Sequence, residues 1–272
     1  HLPTILSNSI FDLAFVVDRA VNLDLGVASY PSLKEALDHE PDFDAVSICT
    51  SPQVRFELCE MLLGRNCAIL LEKPAAANYA IAKEMLKRAD ATKNCVFATW
   101  HSRFAAQIEA ATEWVANHEI ESGTIDWREN AAKWHPGQDW IWRDGGFGVF
   151  DPGMNALSIL TKIMPVHWSV KSAELRIPAN VETPNCADFT LMHDDADVVC
   201  AFEFHENDQD IWTIALKATD GSSLELSKGG ATLHIDGKTM PSNINETEYQ
   251  RIYDRFYDLI HSDSSDCDLS PL

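Results

Sequence analysis

The stretch "FDAVSICTSPQVRFELCEMLLGRNCAILLEKP", residues 43–74, decides the fold. Its first part, 43–52, is an apolar strand that ends in small polar residues and a proline. Residues 54–66 have helical spacing and stop at Gly64. A second apolar run, "CAILLEKP", begins at Cys67 and ends in two charges before Pro74. A strand, a helix and a strand at this pitch make a parallel unit, because the helix carries the chain back across the sheet. Both strands are apolar on both faces, as a sheet covered by helices on both sides requires.

The same alternation extends on either side. "FDLAFVVD" (11–18) reads as a strand ending in an acid and "SYPSLKEALDHE" (29–40) as a helix. "YAIAKEMLKRADAT" (79–92) is helical, and "NCVFATW" (94–100) is a further strand. Residues 1–118 therefore form a Rossmann-type parallel-sheet domain. In such a domain the acid that ends the second strand takes ribose hydroxyls, and a glycine-rich turn lies about 20 residues before it. Counting back from Asp18 puts that turn at or before residue 1. The first strand and the glycine loop are therefore expected upstream of this sequence.

The pattern changes after a boundary near 117–123. "SGTIDWREN" (122–130) is strand-like, a loop rich in Trp, Gly and Asp follows, and "NALSILTKIM" (155–164) is helical. From 169 to about 240 the chain reads as an antiparallel meander of "ADFTLMH", "DVVCAFEFHE", "IWTIALKAT", "SSLELSKGG" and "ATLHIDGK". The last helix, 247–261, carries an aromatic stripe at Tyr249, Tyr253 and Phe256 that reads as core packing. Residues 119–272 are thus an α+β domain with an open-faced antiparallel sheet. Its open face is expected to be apolar and to join copies of the chain as a homo-oligomer.

Composition excludes several classes. Hydrophobic residues make up 46% of 272 residues, enough for a packed core. Against 21 basic residues stand 42 acids, a net charge of −21 that repels nucleic acid. No apolar run approaches the roughly 20 residues of a membrane span. The seven cysteines form no C-x-x-C pair. Cys49, Cys67, Cys95 and Cys200 lie in apolar runs and read as reduced core residues of a cytoplasmic protein, and no metal site is expected.

"EKP" at 72–74 resembles a signature of the glucose–fructose oxidoreductase and inositol dehydrogenase family. "ATWHSR" (98–103), "WREN" (127–130), "WHPGQDWIW" (134–142) and "GGFGVFDPGMNALSILTKI" (145–163) resemble one branch of it, the aldose 1-dehydrogenases acting on D-galactose and L-arabinose. The resemblance covers essentially the whole chain. It implies a Rossmann domain beside an open-faced sheet domain, NAD or NADP as cofactor, and oxidation of an aldose at C1. Lys73 matches the catalytic lysine. Asp151 and Asn155 match the sugar-binding and proton-handling pair, with asparagine where the wider family has histidine. His101, Glu129, Trp134, His135 and Trp212 match sugar-pocket positions. Thr50, Ser51 and Pro52 match positions along the cofactor, with Glu72 near it; Asp18, the strand-end acid, favours NAD by its charge, and Arg19 beside it can accept a 2′-phosphate. Two other readings stand beside this one: a sugar-sensing regulator of the same fold, and a dehydrogenase for inositol or a nucleotide sugar.

The residues by themselves admit plainer roles. "DPG" reads as Asp151 capping a helix with Pro152 at its first position. Ser51 and Pro52 read the same way. Lys73 can be a strand-end lysine paired with Glu72. Trp134, Trp140 and Trp142 can simply pack beneath a loop.

Overall fold

The computed structural model describes residues 1–19, 25–40 and 42–272. In chain order the elements begin with α1 (Leu2–Ser7), β1 (Phe15–Val17), β2 (Ala28–Tyr30), α2 (Leu33–His39), β3 (Ala45–Ile48) and α3 (Pro52–Leu62). β4 (Ala68–Leu71), α4 (Tyr79–Thr92), β5 (Val96–Ala98), α5 (Ile108–Ala116), β6 (Ile120–Glu129), α6 (Ala131–Trp134) and α7 (Phe150–Ile163) follow. The remainder is β7 (Ser169–Arg176), β8 (Cys186–His193), β9 (Ala196–Phe204), β10 (Ile211–Ala218), β11 (Ser223–Ser227), β12 (Thr232–Ile235), β13 (Lys238–Thr239) and α8 (Glu248–His261).

Two compact units result. The first comprises His1–Thr99 with Tyr249–Leu269, and the second Trp100–Glu248 with Ser270–Leu272. The divide falls at Thr99, ahead of the expected boundary near 117–123, and most of α8 belongs to the first unit. The stripe of α8 explains this: Tyr253 and Phe256 are buried and pack against Phe11, and Phe256 also meets Phe97.

In the first unit β3, β4 and β5 form a parallel sheet, with β4 central. Ile69, Leu70 and Leu71 of β4 are fully buried, as a strand covered on both faces must be. Burying each such side chain contributes about 1.5–3 kcal/mol. β1 and β2 form a separate parallel pair. The helix expected from residue 29 starts at Leu33, and the three-residue strand β2 takes its first positions. So short a strand gives no alternation to detect. Beyond β5 the tail runs alongside the sheet, with Ala98 N–H donating to Asp266 O at 2.9 Å and Asp266 N–H to Val96 O at 3.0 Å.

The second unit holds an eight-stranded sheet in the order β13-β12-β11-β10-β6-β9-β8-β7. It is mixed and departs from the expected meander in one pairing: β6 inserts between β10 and β9 and runs parallel to β9. β7 had no counterpart among the expected strands. It is an edge strand exposed along its whole length, so no buried face imposes an alternating pattern. On the covered face, Ile125, Trp127, Phe202, Ile214 and Leu216 share a core with Ala156, Ile159 and Leu160 of α7. α7 seats closely: a Cβ at Gly153 would stand 2.4 Å from the Phe202 ring, so only glycine fits there.

The open face differs from the apolar surface expected. Register places Thr124, Asp126 and Arg128 beside Val199, Ala201 and Glu203 on one side and Ala215, Thr213 and Ile211 on the other. Small and apolar side chains thus alternate with ion pairs, Arg128 to Asp126 at 2.5 Å and to Glu203 at 3.0 Å.

All seven cysteines are free. Cys67 and Cys200 are buried as expected, but Cys49 is exposed, because β3 ends one residue earlier at Ile48, and Cys95 is only partly covered. Burial pushes the thiols of Cys59, Cys200 and Cys267 up to about 12. Among the described residues, no helix is long and apolar enough to cross a membrane. None of their His, Cys, Asp and Glu side chains group so as to hold a metal ion.

Candidate active site

In the first unit the candidate residues lie at the carboxyl ends of parallel strands, where open α/β sheets bind ligands. Asp18 directly follows β1, is exposed, and is fixed by its N–H donating to Tyr30 O at 3.0 Å; Arg19 beside it is also exposed. Past β3, Thr50 is exposed, Ser51 occupies the N-cap of α3 and Pro52 its first turn. The Ser51 side chain makes no capping bond, so its position in the turn was legible and its capping role was not. An exposed carboxylate and small hydroxyl residues at these strand ends fit the ribose hydroxyls and phosphates of a dinucleotide.

Past β4, Glu72 is buried. Its Oε2 accepts from Lys73 N–H at 2.5 Å and its Oε1 from Tyr249 OH at 2.5 Å. His1 Nε2 lies 3.3 Å from Glu72 Oε1. Burial alone would lower the His1 imidazole, but its hydrogen bonds to Cys49 and Glu72 outweigh burial and raise it to about 9. Lys73 precedes Pro74 through a cis peptide bond. Arg55, buried in the first turn of α3, reaches back to Thr50 O with Nε at 2.8 Å and to the carbonyls of Glu72 and Pro74 with Nη1. Nothing in the local sequence pattern marks Arg55, and the stripe of α8 marks Tyr249 only as packing. A partner 17 or 19 positions away leaves no local pattern.

The second unit assembles its candidates around the end of β6. Alternation turns Glu129 to the covered face with Trp127 and Ile125. Asn130 then caps the one-turn helix α6, its side chain accepting from Ala132 N–H at 2.9 Å and Lys133 N–H at 3.3 Å. That single turn returns the chain so that His135 faces Glu129. Its Nε2 lies 3.4 Å from Glu129 Oε1 and 3.8 Å from Asp151 Oδ2. Trp212 Nε1–H donates to Glu129 Oε2 at 3.2 Å. The Trp134 and Trp212 rings stand 5.4 Å apart, and Trp134 is 44% exposed. His135 also faces the Phe204 ring, on which Trp142 packs. Glu129 and Asp151 are 5% and 3% exposed, so two carboxylates share one largely dry pocket with an imidazole between them.

Asp151 is not the N-cap that "DPG" suggested. α7 starts at Phe150, and Val149, whose side chain makes no capping bond, holds the capping position. The reason is Gly148, whose positive φ and close approach to Pro184 O start the helix two residues earlier than the proline implies. Asn155 lies one helical turn on, on the same face as Asp151 and partly exposed. His101 belongs to a different set of contacts, with Nδ1 2.6 Å from Glu248 Oε2. A cleft of about 550 Å³ lined by Arg128, Glu203, His205 and Ile211 lies on the open side of the sheet, and no candidate residue lines it.

Strand-end nucleotide positions together with a second unit bearing a buried carboxylate–histidine cluster define a dinucleotide-dependent oxidoreductase. Comparison with known proteins agrees. Residues 10–99 match the model of an oxidoreductase family with an NAD-binding Rossmann fold. A galactose 1-dehydrogenase of Pseudomonas fluorescens is 39% identical over 273 residues, covering 100% of this chain and 88% of that protein. The crystal structure of a D-galactose-1-dehydrogenase from Rhizobium etli superposes with a TM-score of 0.90 at 38% identity, covering 100% of this chain and 86% of that one. A 3-ketoreductase from Actinomadura kijaniata, crystallised with NADP, shares the fold at a TM-score of 0.84 and 14% identity, covering 99% of this chain and 87% of that one. The chain belongs to the NAD-binding oxidoreductase family of glucose–fructose oxidoreductase and inositol dehydrogenase.

Proposed function

We propose that the chain is an NAD(P)-dependent aldose 1-dehydrogenase that oxidises D-galactose at C1 to the lactone, with L-arabinose and D-fucose as further substrates. The observation that carries this reading is the cluster in which His135 lies between Glu129 and Asp151, with Trp212, bonded to Glu129, beside the Trp134 ring. Whole-chain likeness to a galactose 1-dehydrogenase supports it. Indole faces suit the apolar C–H face of a pyranose, and the carboxylates and imidazole suit its hydroxyls.

Oxidation at C1 removes a hydride from carbon and a proton from its hydroxyl, leaving the lactone carbonyl. Bound nicotinamide supplies the hydride acceptor. Lys73 donates to the C1 oxygen as negative charge develops there. Asp151 takes the hydroxyl proton, and Asn155, on the same helix face, orients that hydroxyl. Glu129 and His135 hold neighbouring sugar hydroxyls, and His101 completes the sugar contacts. Asp18 favours NAD, since a carboxylate at that position repels a 2′-phosphate, while Arg19 tolerates one. Thr50, Ser51, Pro52 and Glu72 line the cofactor.

We further assign cofactor binding to the Rossmann part, sugar binding and assembly to the sheet part, and the cytoplasm as location, on the strength of seven free cysteines. The open sheet face, with Val199 54% exposed amid ion pairs, joins copies of the chain. Sedimentation at working concentration should show a dimer or larger species, and a monomer would overturn the assembly.

A kinetic panel tests the substrate. D-galactose, L-arabinose, D-fucose, D-glucose and D-xylose are each assayed with NAD and with NADP. The largest kcat/KM is expected for D-galactose with NAD. Sugar binding without turnover would instead favour a regulator. Turnover of inositol or a nucleotide sugar alone would move the chain to another branch.

A further inference from the structure

The structure assigns Arg55 a positioning role: one buried guanidinium sets the catalytic lysine loop and the cofactor-lining loop in a fixed relation. The inference rests on the reading of Lys73 as the residue that meets the sugar's C1 oxygen. Arg55 is 3% exposed. Its Nη1 donates to Glu72 O and to Pro74 O, the carbonyls immediately before and after Lys73. Its Nε and Nη2 both donate to Thr50 O, at the head of the loop that leads through Ser51 and Pro52 into α3. Lys73 N–H is itself held by Glu72 Oε2 at 2.5 Å. The backbone of Lys73 is therefore anchored before, at and after the residue. Two of those three anchors come from the side chain that also anchors Thr50.

Helix stability does not account for this placement. Arg55 sits in the first turn of α3, the positive end of the helix dipole, where a cation is disfavoured. Its partners are carbonyl oxygens of two loops. Only a planar fork with five donors can span them, and the three donors of a lysine radiate from one point. Misplacing a reacting group by about 1 Å costs on the order of 100-fold in rate. Loss of the fork should therefore appear in both kcat and cofactor KM, because both loops are released.

The test uses Arg55→Lys, Arg55→Ala and Lys73→Ala in the full chain, assayed with D-galactose and NAD. Arg55→Lys, which keeps the charge and loses the fork, should lower kcat about 100-fold and raise the KM for NAD, while the KM for sugar stays near its original value. Guanidinium chloride at low millimolar concentration should restore part of the kcat of Arg55→Ala and none of that of Lys73→Ala. Urea at equal concentration should restore neither. If Arg55→Ala does not fold, the split between kcat and the two KM values in Arg55→Lys decides alone. Wild-type kcat and NAD KM in Arg55→Lys would overturn the inference. So would a kcat loss in a folded Arg55→Ala that guanidinium leaves untouched. If Lys73→Ala keeps its turnover, the lysine reading fails instead, and the inference falls with it. A failure confined to the Arg55 variants leaves that reading standing.

Discussion

Lys73→Ala lowers kcat for D-galactose by about 100- to 1,000-fold, the cost of removing one donor aimed at developing charge. Lys73 follows β4, the most deeply buried strand of its sheet, and its backbone is held by Glu72 and, through flanking carbonyls, by Arg55. The backbone bonds survive truncation of the side chain. Thermal stability should therefore change little, and the loss should appear as turnover rather than as unfolding. Lys73→Met keeps the length of the side chain and removes its charge, so it should be as slow as Lys73→Ala. Lys73→Arg keeps the charge but replaces a compact ammonium by a broad fork, and should recover only a fraction. Steady-state kinetics beside a melting curve separate these outcomes. A kcat within a few-fold of wild type in Lys73→Ala would remove the lysine from the chemistry.

β4 was legible because both of its faces are buried, and an uninterrupted apolar run is the local trace of that burial. α8 was legible as a helix, yet its unit was not. Its stripe shows that one face is covered, but not that Phe11 and Phe97 cover it. The insertion of β6 between β9 and β10 was illegible for the same reason, since register between distant strands leaves no mark in either one. The candidate site divides likewise. Glu129, His135, Asp151 and Trp212 are named through motif likeness, and the structure links them in a chain from Trp212 through Glu129 and His135 to Asp151. Arg55 and Tyr249 act on backbone carbonyls and on a carboxylate far along the chain, and no spacing rule reaches them. Where motif and geometry diverged, at Asp151, the cause was a glycine: Gly148 lets the helix start early and moves the acid off the capping position.

That displacement bears directly on the second large effect. Asp151→Asn lowers kcat by about 100- to 10,000-fold, the usual contribution of general acid–base catalysis. An N-cap carboxylate would bond the first amides of α7, and its loss would cost helix stability as well as chemistry. Val149 holds the cap instead, so that confusion is removed. What Asp151 still gives α7 is a negative charge in the first turn, about 0.3–1 kcal/mol. The melting temperature of Asp151→Asn should fall by only a few degrees. Asparagine is nearly the same size and keeps an oxygen facing His135, so the cluster with Glu129 keeps its shape, and the variant loses the ability to take a proton. The KM for sugar should therefore change much less than kcat. Asp151→Ala removes the contact to His135 as well and should raise KM in addition. These opposed patterns distinguish a base from a mere sugar ligand. If Asp151→Asn instead raises KM and leaves kcat within a few-fold, Asp151 only binds, and Glu129, the other buried carboxylate beside His135, becomes the base to test next.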